Sequence, residues 1–181
     1  VYLYPTIAAY EIIAKYNPEN FISLAGQVKD LGNVPKPEEV TISPNLAAIF
    51  CFNIVGKKLI FSQEKMESFE NEFGKKLIQY EVPKNVIRSS KNYAKKVAKF
   101  ILEWASKDMY SQTRTFPKYS IKDEDKYWKP TPPDYMDGIE PHWQEIRTMV
   151  LDSSNQFPPK DPLPYNLKKE SPFHKQLMQV F

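Results

Sequence analysis

A chain of 181 residues with 41% apolar and 26% charged residues can bury one sizeable core, and a net charge of +3 commits it neither to nucleic acid nor to an anionic membrane. One cysteine, Cys51, excludes an internal disulfide and any cysteine-rich metal site, and leaves the compartment open. The longest apolar run, Leu46 to Val55, is too short for a transmembrane segment; no signal peptide and no Asn-x-Ser/Thr sequon is visible.

In chain order, the first predicted helix runs from Tyr4 to Tyr16. Pro5 lies near its first turn, Ala8, Ala9, Ile12, Ile13 and Tyr16 form its apolar stripe, and Asn17-Pro18 stops it. Residues 17–43 read as loop, punctuated by Gly26, Gly32, Pro35 and Pro37 and anchored by Phe21, Ile22 and Leu24. Ser43 as N-cap and Pro44 as first helical residue open a second helix, apolar almost all round and therefore central and buried. A third, from about Ser62, repeats Met66, Phe69, Phe73, Leu77 and Tyr80 at helical spacing. The fourth and longest opens at Pro83 and reaches about Ser106, with Val86, Ser90, Tyr93, Ala94, Val97, Ala98, Ile101 and Trp104 on its core face. Together these predict an all-α helical bundle over residues 1–106, and no alternating strand pattern or solenoid repeat competes with it.

Beyond residue 106 the character changes, with ten of the sixteen prolines lying between Pro117 and Pro172. Residues 127–151 carry Pro130, Pro132, Pro133 and Pro141, which bar a regular helix, together with Tyr127, Trp128, Tyr135 and Trp143. So much aromatic surface suits an arm lying across other structure better than a solvated linker, so residues 107–170 are expected to form a Pro/aromatic-rich arm packed on the helices. Ser171-Pro172 then starts another helix, residues 171–181, with Phe173, Leu177, Val180 and Phe181 on one stripe. The opening on an apolar residue other than Met, and the end at Phe181 in mid-stripe, read as a piece of a longer protein.

Chemistry-bearing residues are few. Lys84, Arg88, Lys91, Lys95 and Lys99 form a basic ladder up the fourth helix, suited to a polyanion but more simply a solvated face. His142, with Glu140, Glu145 and Arg147 nearby, has acid–base components but no nucleophile at a recognisable spacing, so it is expected to pack or cap, and His174 to have a local surface role. Asp123, Glu124, Asp125, Asp134 and Asp137 lack the alternation and glycine turn of a calcium loop. Gly138 stands alone, which excludes a phosphate-cradling loop, and Trp104, Trp128 and Trp143 are expected as anchors of the arm rather than a stacking site. The expected catalytic, cofactor-binding and metal residues within the chain are therefore none.

YLYPTIAAYEIIA at the start, SLAGQ (Ser23 to Gln27), WKPTPPDY (Trp128 to Tyr135 within it), EPHW (Glu140 to Trp143) and SPFHK (Ser171 to Lys175) occur in that order over nearly the whole chain. In this the chain resembles the N-terminal part of bacterial vanadium-dependent haloperoxidase-like proteins of the type 2 phosphatidic-acid phosphatase superfamily. The resemblance implies an all-α fold in which N-terminal helices pack against a C-terminal four-helix core that holds phosphate or vanadate. That core needs a Lys, Arg-Pro, Pro-Ser-Gly-His, and Ser-Arg with a later His and Asp; Arg-Pro, Ser-Gly-His and Ser-Arg are all missing here, and Trp143-Gln144 stands where the family has Trp-Gly. The resemblance thus implies a non-catalytic part whose parent catalyses phosphoester hydrolysis or vanadate-dependent halide peroxidation, with phosphate or vanadate bound beyond Phe181. It further implies a C-terminal catalytic region of the same protein as partner, a homodimer as a possibility, no nucleic acid, and a periplasmic or extracytoplasmic location. The rival expectation is a stand-alone helical interaction module without enzymatic activity.

Overall fold

The computed structural model describes residues 2–181, and the regular structure among them is helical, apart from an isolated bridge between Ala25 and Val28. Six helices follow one another: α1 (Leu3–Tyr16), α2 (Pro44–Leu59), α3 (Glu64–Gln79), α4 (Lys84–Ala105), the single turn α5 (Tyr110–Thr113) and α6 (Pro172–Val180), with a 3₁₀ turn at Trp143–Glu145. The chain divides into two compact units, one running to Ser111 and the other from Gln112 to Phe181.

In the first unit α2 lies between α1 and α4. Small residues allow the close approach: Ala8 on α1, Ala47, Ala48 and Cys51 on α2, and Ala94 and Ala98 on α4 are all buried, with Ile7, Ile12, Val55, Val97 and Ile101 filling the space between them. Ser43 caps α2 by accepting from Leu46 N–H at 3.5 Å, and Pro44 takes the position where a missing N–H costs nothing. Burial pushes the Cys51 thiol up to about 12, which keeps it neutral and unreactive.

Two expectations need correction. The third helix does not join the bundle as an equal. Only Leu77 of its stripe is buried, and Phe69 (45% exposed) and Tyr80 (72% exposed) stay open to solvent. Gly56 meets the Met66 side chain, and Lys57 pairs with Glu67 and Glu70, so α3 touches α2 along one edge. The anchors of the 17–43 loop are also different residues. Phe21 and Ile22 are exposed, whereas Val28, Leu31 and Val34 are buried. Gly26, at φ +77°, turns the chain so that its N–H reaches Leu31 O at 3.0 Å, and the three apolar residues then face inward at intervals of three.

Candidate functional site

The 17–43 loop is stitched to the helices by polar contacts. Glu11, on the apolar stripe of α1, is 1% exposed, and its carboxylate accepts from the Leu24 N–H at 2.6 Å and the Ser23 hydroxyl at 2.7 Å. Ser23 Oγ also accepts from the Ala25 N–H, and Gln27 Nε2 donates to Ser23 O, so the SLAGQ element is clamped from inside and outside. Further along, the Trp104 Nε1–H donates to Lys29 O at 3.2 Å and the Tyr93 hydroxyl to Pro35 O at 3.0 Å. Burial raises the pKa of both Tyr93 and Tyr16, whose rings meet edge to face. Trp104 is a core residue of the first unit, edge-on to Tyr4 at 5.2 Å, rather than an anchor of the arm. Sequence reasoning passed over Glu11. Its only signal is an acid placed on the stripe between Ala8 and Ile12, which core burial permits only with donors at hand.

In the second unit the EPHW segment forms a local knot. Glu140 adopts φ +50° and its carboxylate accepts from Arg114 and from the Trp143 Nε1–H. His142 Nε2 lies 2.7 Å from Pro117 O, and the His142 ring sits edge-on to Phe116. Gly138 is required by packing, since a Cβ there would come within 2.9 Å of the Tyr119 side chain, which in turn meets Trp128 edge to face. Lys118 bridges Asp137 at 2.8 Å; the hydrogen bond and charge hold the Asp137 carboxyl below its ordinary range and the Lys118 amine above its own. Trp128 and Trp143 are nonetheless 51% and 65% exposed.

The structure does not assemble these groups into a reaction centre. His142 is turned to a backbone carbonyl and a ring, and His174 sits in the first turn of α6, its N–H bonded to the Ser171 cap. Lys126 pairs with Glu124, Lys129 pairs with Asp125 and donates to the Asp123 backbone carbonyl, and among the described residues no three His, Cys, Asp or Glu gather as a metal site. Phosphate or vanadate requires several cations and a histidine converging on a dry cradle. The cations of α4 stand outward in a row in the first unit, and both histidines belong to the second. Among the described residues, no helix is long and apolar enough to cross a membrane.

No protein-family model and no curated protein sequence matches the chain. Among solved structures, a crystal structure of a bacterial vanadium-dependent iodoperoxidase is 46% identical to it, with a TM-score of 0.88 over 98% of this chain. The chain spans 42% of the length of that iodoperoxidase.

Proposed function

We propose, from the premise that this chain is vanadium-haloperoxidase-like in sequence and in its all-α fold, that it is the non-catalytic helical part of an enzyme that oxidises halide with peroxide. The observation that carries this reading is 46% identity sustained over 98% of the chain. Fold likeness alone would leave function open, because one fold hosts many chemistries. In this reading the groups that hold vanadate lie in sequence outside these residues. The helical unit supplies a rigid support, and the exposed apolar side chains from Val150 onward meet the catalytic region of the same protein. Phosphoester hydrolysis, the other activity of the superfamily that the sequence resembles, is the lesser branch of the proposal, and a periplasmic setting goes with either.

The test compares this chain with a version extended to the length of the iodoperoxidase, each supplied with vanadate, peroxide and iodide. The extended protein is expected to oxidise iodide and the 181-residue chain to be inert. Turnover by the chain alone, or an extended protein that binds vanadate without turnover, would overturn the reading. A stand-alone interaction module is the second reading, favoured by the closed core of the first unit. A monomer that binds no hydrophobic dye would support it; dye binding or homodimerisation would count for the first.

A further inference from the structure

The outer face of α4 carries a line of cations, among which Arg88 feels a neighbouring acid, Glu39, through charge and without a direct ion pair. Lys84, Arg88, Lys91, Lys95 and Lys99 recur every three or four residues, all exposed, and at the helical rise they span about 22 Å in steps of about 4.5 to 6 Å. Among the described residues the first four have no ion-pair partner, and Lys99 meets only Glu103 on its own helix at 3.8 Å. Two other basic residues of the same unit are paired, Lys57 with Glu67 and Glu70, and Lys96 with Glu38. Like charges at this spacing repel and weaken the helix that carries them.

The two flanks of the line differ in chemistry. On one side Lys91 Nζ stands 5.9 Å from the centre of the Phe50 ring, which meets Phe73 edge to face, and Phe73 stacks at 5.7 Å on the half-exposed Phe69. On the other side Glu39 accepts from Ser89 and Asn92, and Glu38 pairs with Lys96. Between them runs a shallow groove with Ile87 and Asn92 among the cations. A plane of anionic lipid laid on this face would press its head groups against Glu38 and Glu39. The net charge of +3 offers no wider field for a duplex nucleic acid. A single extended chain fits the strip, with anions on the line and an apolar side chain on the phenylalanines.

We propose that this strip is a docking groove for an extended acidic polypeptide segment, its carboxylates meeting Lys84, Arg88, Lys91 and Lys95 and an aromatic or aliphatic side chain meeting Phe50 and Phe69. The inference goes beyond the enzyme reading and is independent of it.

The experiment follows the fluorescence anisotropy of a labelled Glu-rich peptide with a central Phe as the purified protein is added. Saturable binding is expected, weakening as salt rises from about 0.05 to about 0.2 M. Lys91→Glu/Lys95→Glu should weaken it about tenfold or more, and the milder Lys91→Ala/Lys95→Ala less, with helical circular dichroism unchanged because these side chains are exposed. The same charge change at Lys122→Glu/Lys126→Glu, in the other unit, should weaken it by less than about threefold. Equal loss in both pairs, or no binding by the unmodified protein, overturns the proposal. Tighter binding of a single-stranded oligonucleotide or of phosphatidylglycerol vesicles overturns the assignment to a polypeptide.

Discussion

Up to Ser111 the chain has a closed apolar core, in which Ile12, Val55, Val97 and Ile101 have no exposed surface. From Gln112 onward no large apolar side chain is buried among the described residues, every residue from Leu151 to Glu170 is exposed, and Phe157 is 74% exposed. Both regions have defined conformations, but they hold them by different means. The first rests on apolar burial among three helices, which scales with area removed from water. The second rests on fixed proline backbone and on short-range polar knots such as Glu140 with Arg114 and Trp143, whose net worth in water is small. The lesson is that an ordered region need not be a self-sufficient one.

The largest effect should separate the two regions outright. Ile101→Ala in the closed core is expected to cost about 2 to 5 kcal/mol in urea unfolding. Phe157→Ala should change stability by less than about 0.5 kcal/mol. Cys51 supplies an independent readout of the first unit. Its thiol, pushed up to about 12 and fully buried, should resist alkylation at neutral pH in the unmodified protein and label faster in Ile101→Ala. Comparable losses at both positions would erase the contrast.

Next in size is the buried clamp on the loop. Glu11→Ala leaves the Leu24 N–H and the Ser23 hydroxyl without their acceptor in a part-buried site, at a cost of about 2 kcal/mol. Glu11→Gln keeps the shape and one acceptor oxygen and should cost less. Faster amide exchange at Leu24 in both variants, greater in the alanine, checks the order. In the second unit Glu140→Ala removes one carboxylate from two partners on an exposed knot and should cost about 1 kcal/mol, confined to local exchange between residues 114 and 147. A Glu140→Ala protein whose first unit also melts earlier would contradict the division into independently held regions.

How far the sequence discloses this structure follows from the same contrast. The helices of the first unit are legible because their ends carry capping chemistry, Ser43-Pro44 and Pro83 among them, and their faces carry a helical period. The same holds for α6 at Ser171-Pro172. The loop anchors are not, because hydrophobicity favours Phe21 and Ile22, while the turn at Gly26 decides that Val28, Leu31 and Val34 face inward. Glu11 escapes for a related reason, since it acts through a loop partner 13 residues away. Trp104 is legible on the core face of α4, but its bond to Lys29 O, 75 residues away, is announced by no periodicity. For the candidate chemistry, the expected packing role of His142 corresponds to its contacts with Pro117 and Phe116, and the pairing of Glu140 with Arg114, 26 residues apart, was not readable.

The smallest predicted effect compares two surface carboxylates that titrate below the ordinary range for different reasons. Glu39, in the first unit, is held down chiefly by the hydrogen bond from the neutral Ser89 hydroxyl at 2.5 Å, with Asn92, Arg88 and Lys96 contributing less. Asp137, in the second unit, is held down by Lys118, through a hydrogen bond and then through charge. In both, the folded-state pKa lies below the unfolded one, so each contribution to stability is present above the unfolded value of about 4 and is lost as pH falls through the folded value. Raising salt from about 0.01 to about 1 M shortens the screening length from about 30 to about 3 Å, which weakens an exposed ion pair far more than a hydrogen bond to a hydroxyl. Carboxyl titrations followed by NMR should therefore show Asp137 moving back toward the ordinary aspartate value in high salt while Glu39 moves little. Ser89→Ala should release Glu39 at any salt. Equal salt shifts at the two carboxylates would mean that the Arg88 and Lys96 charges, not the Ser89 hydroxyl, hold the 35–41 loop against α4.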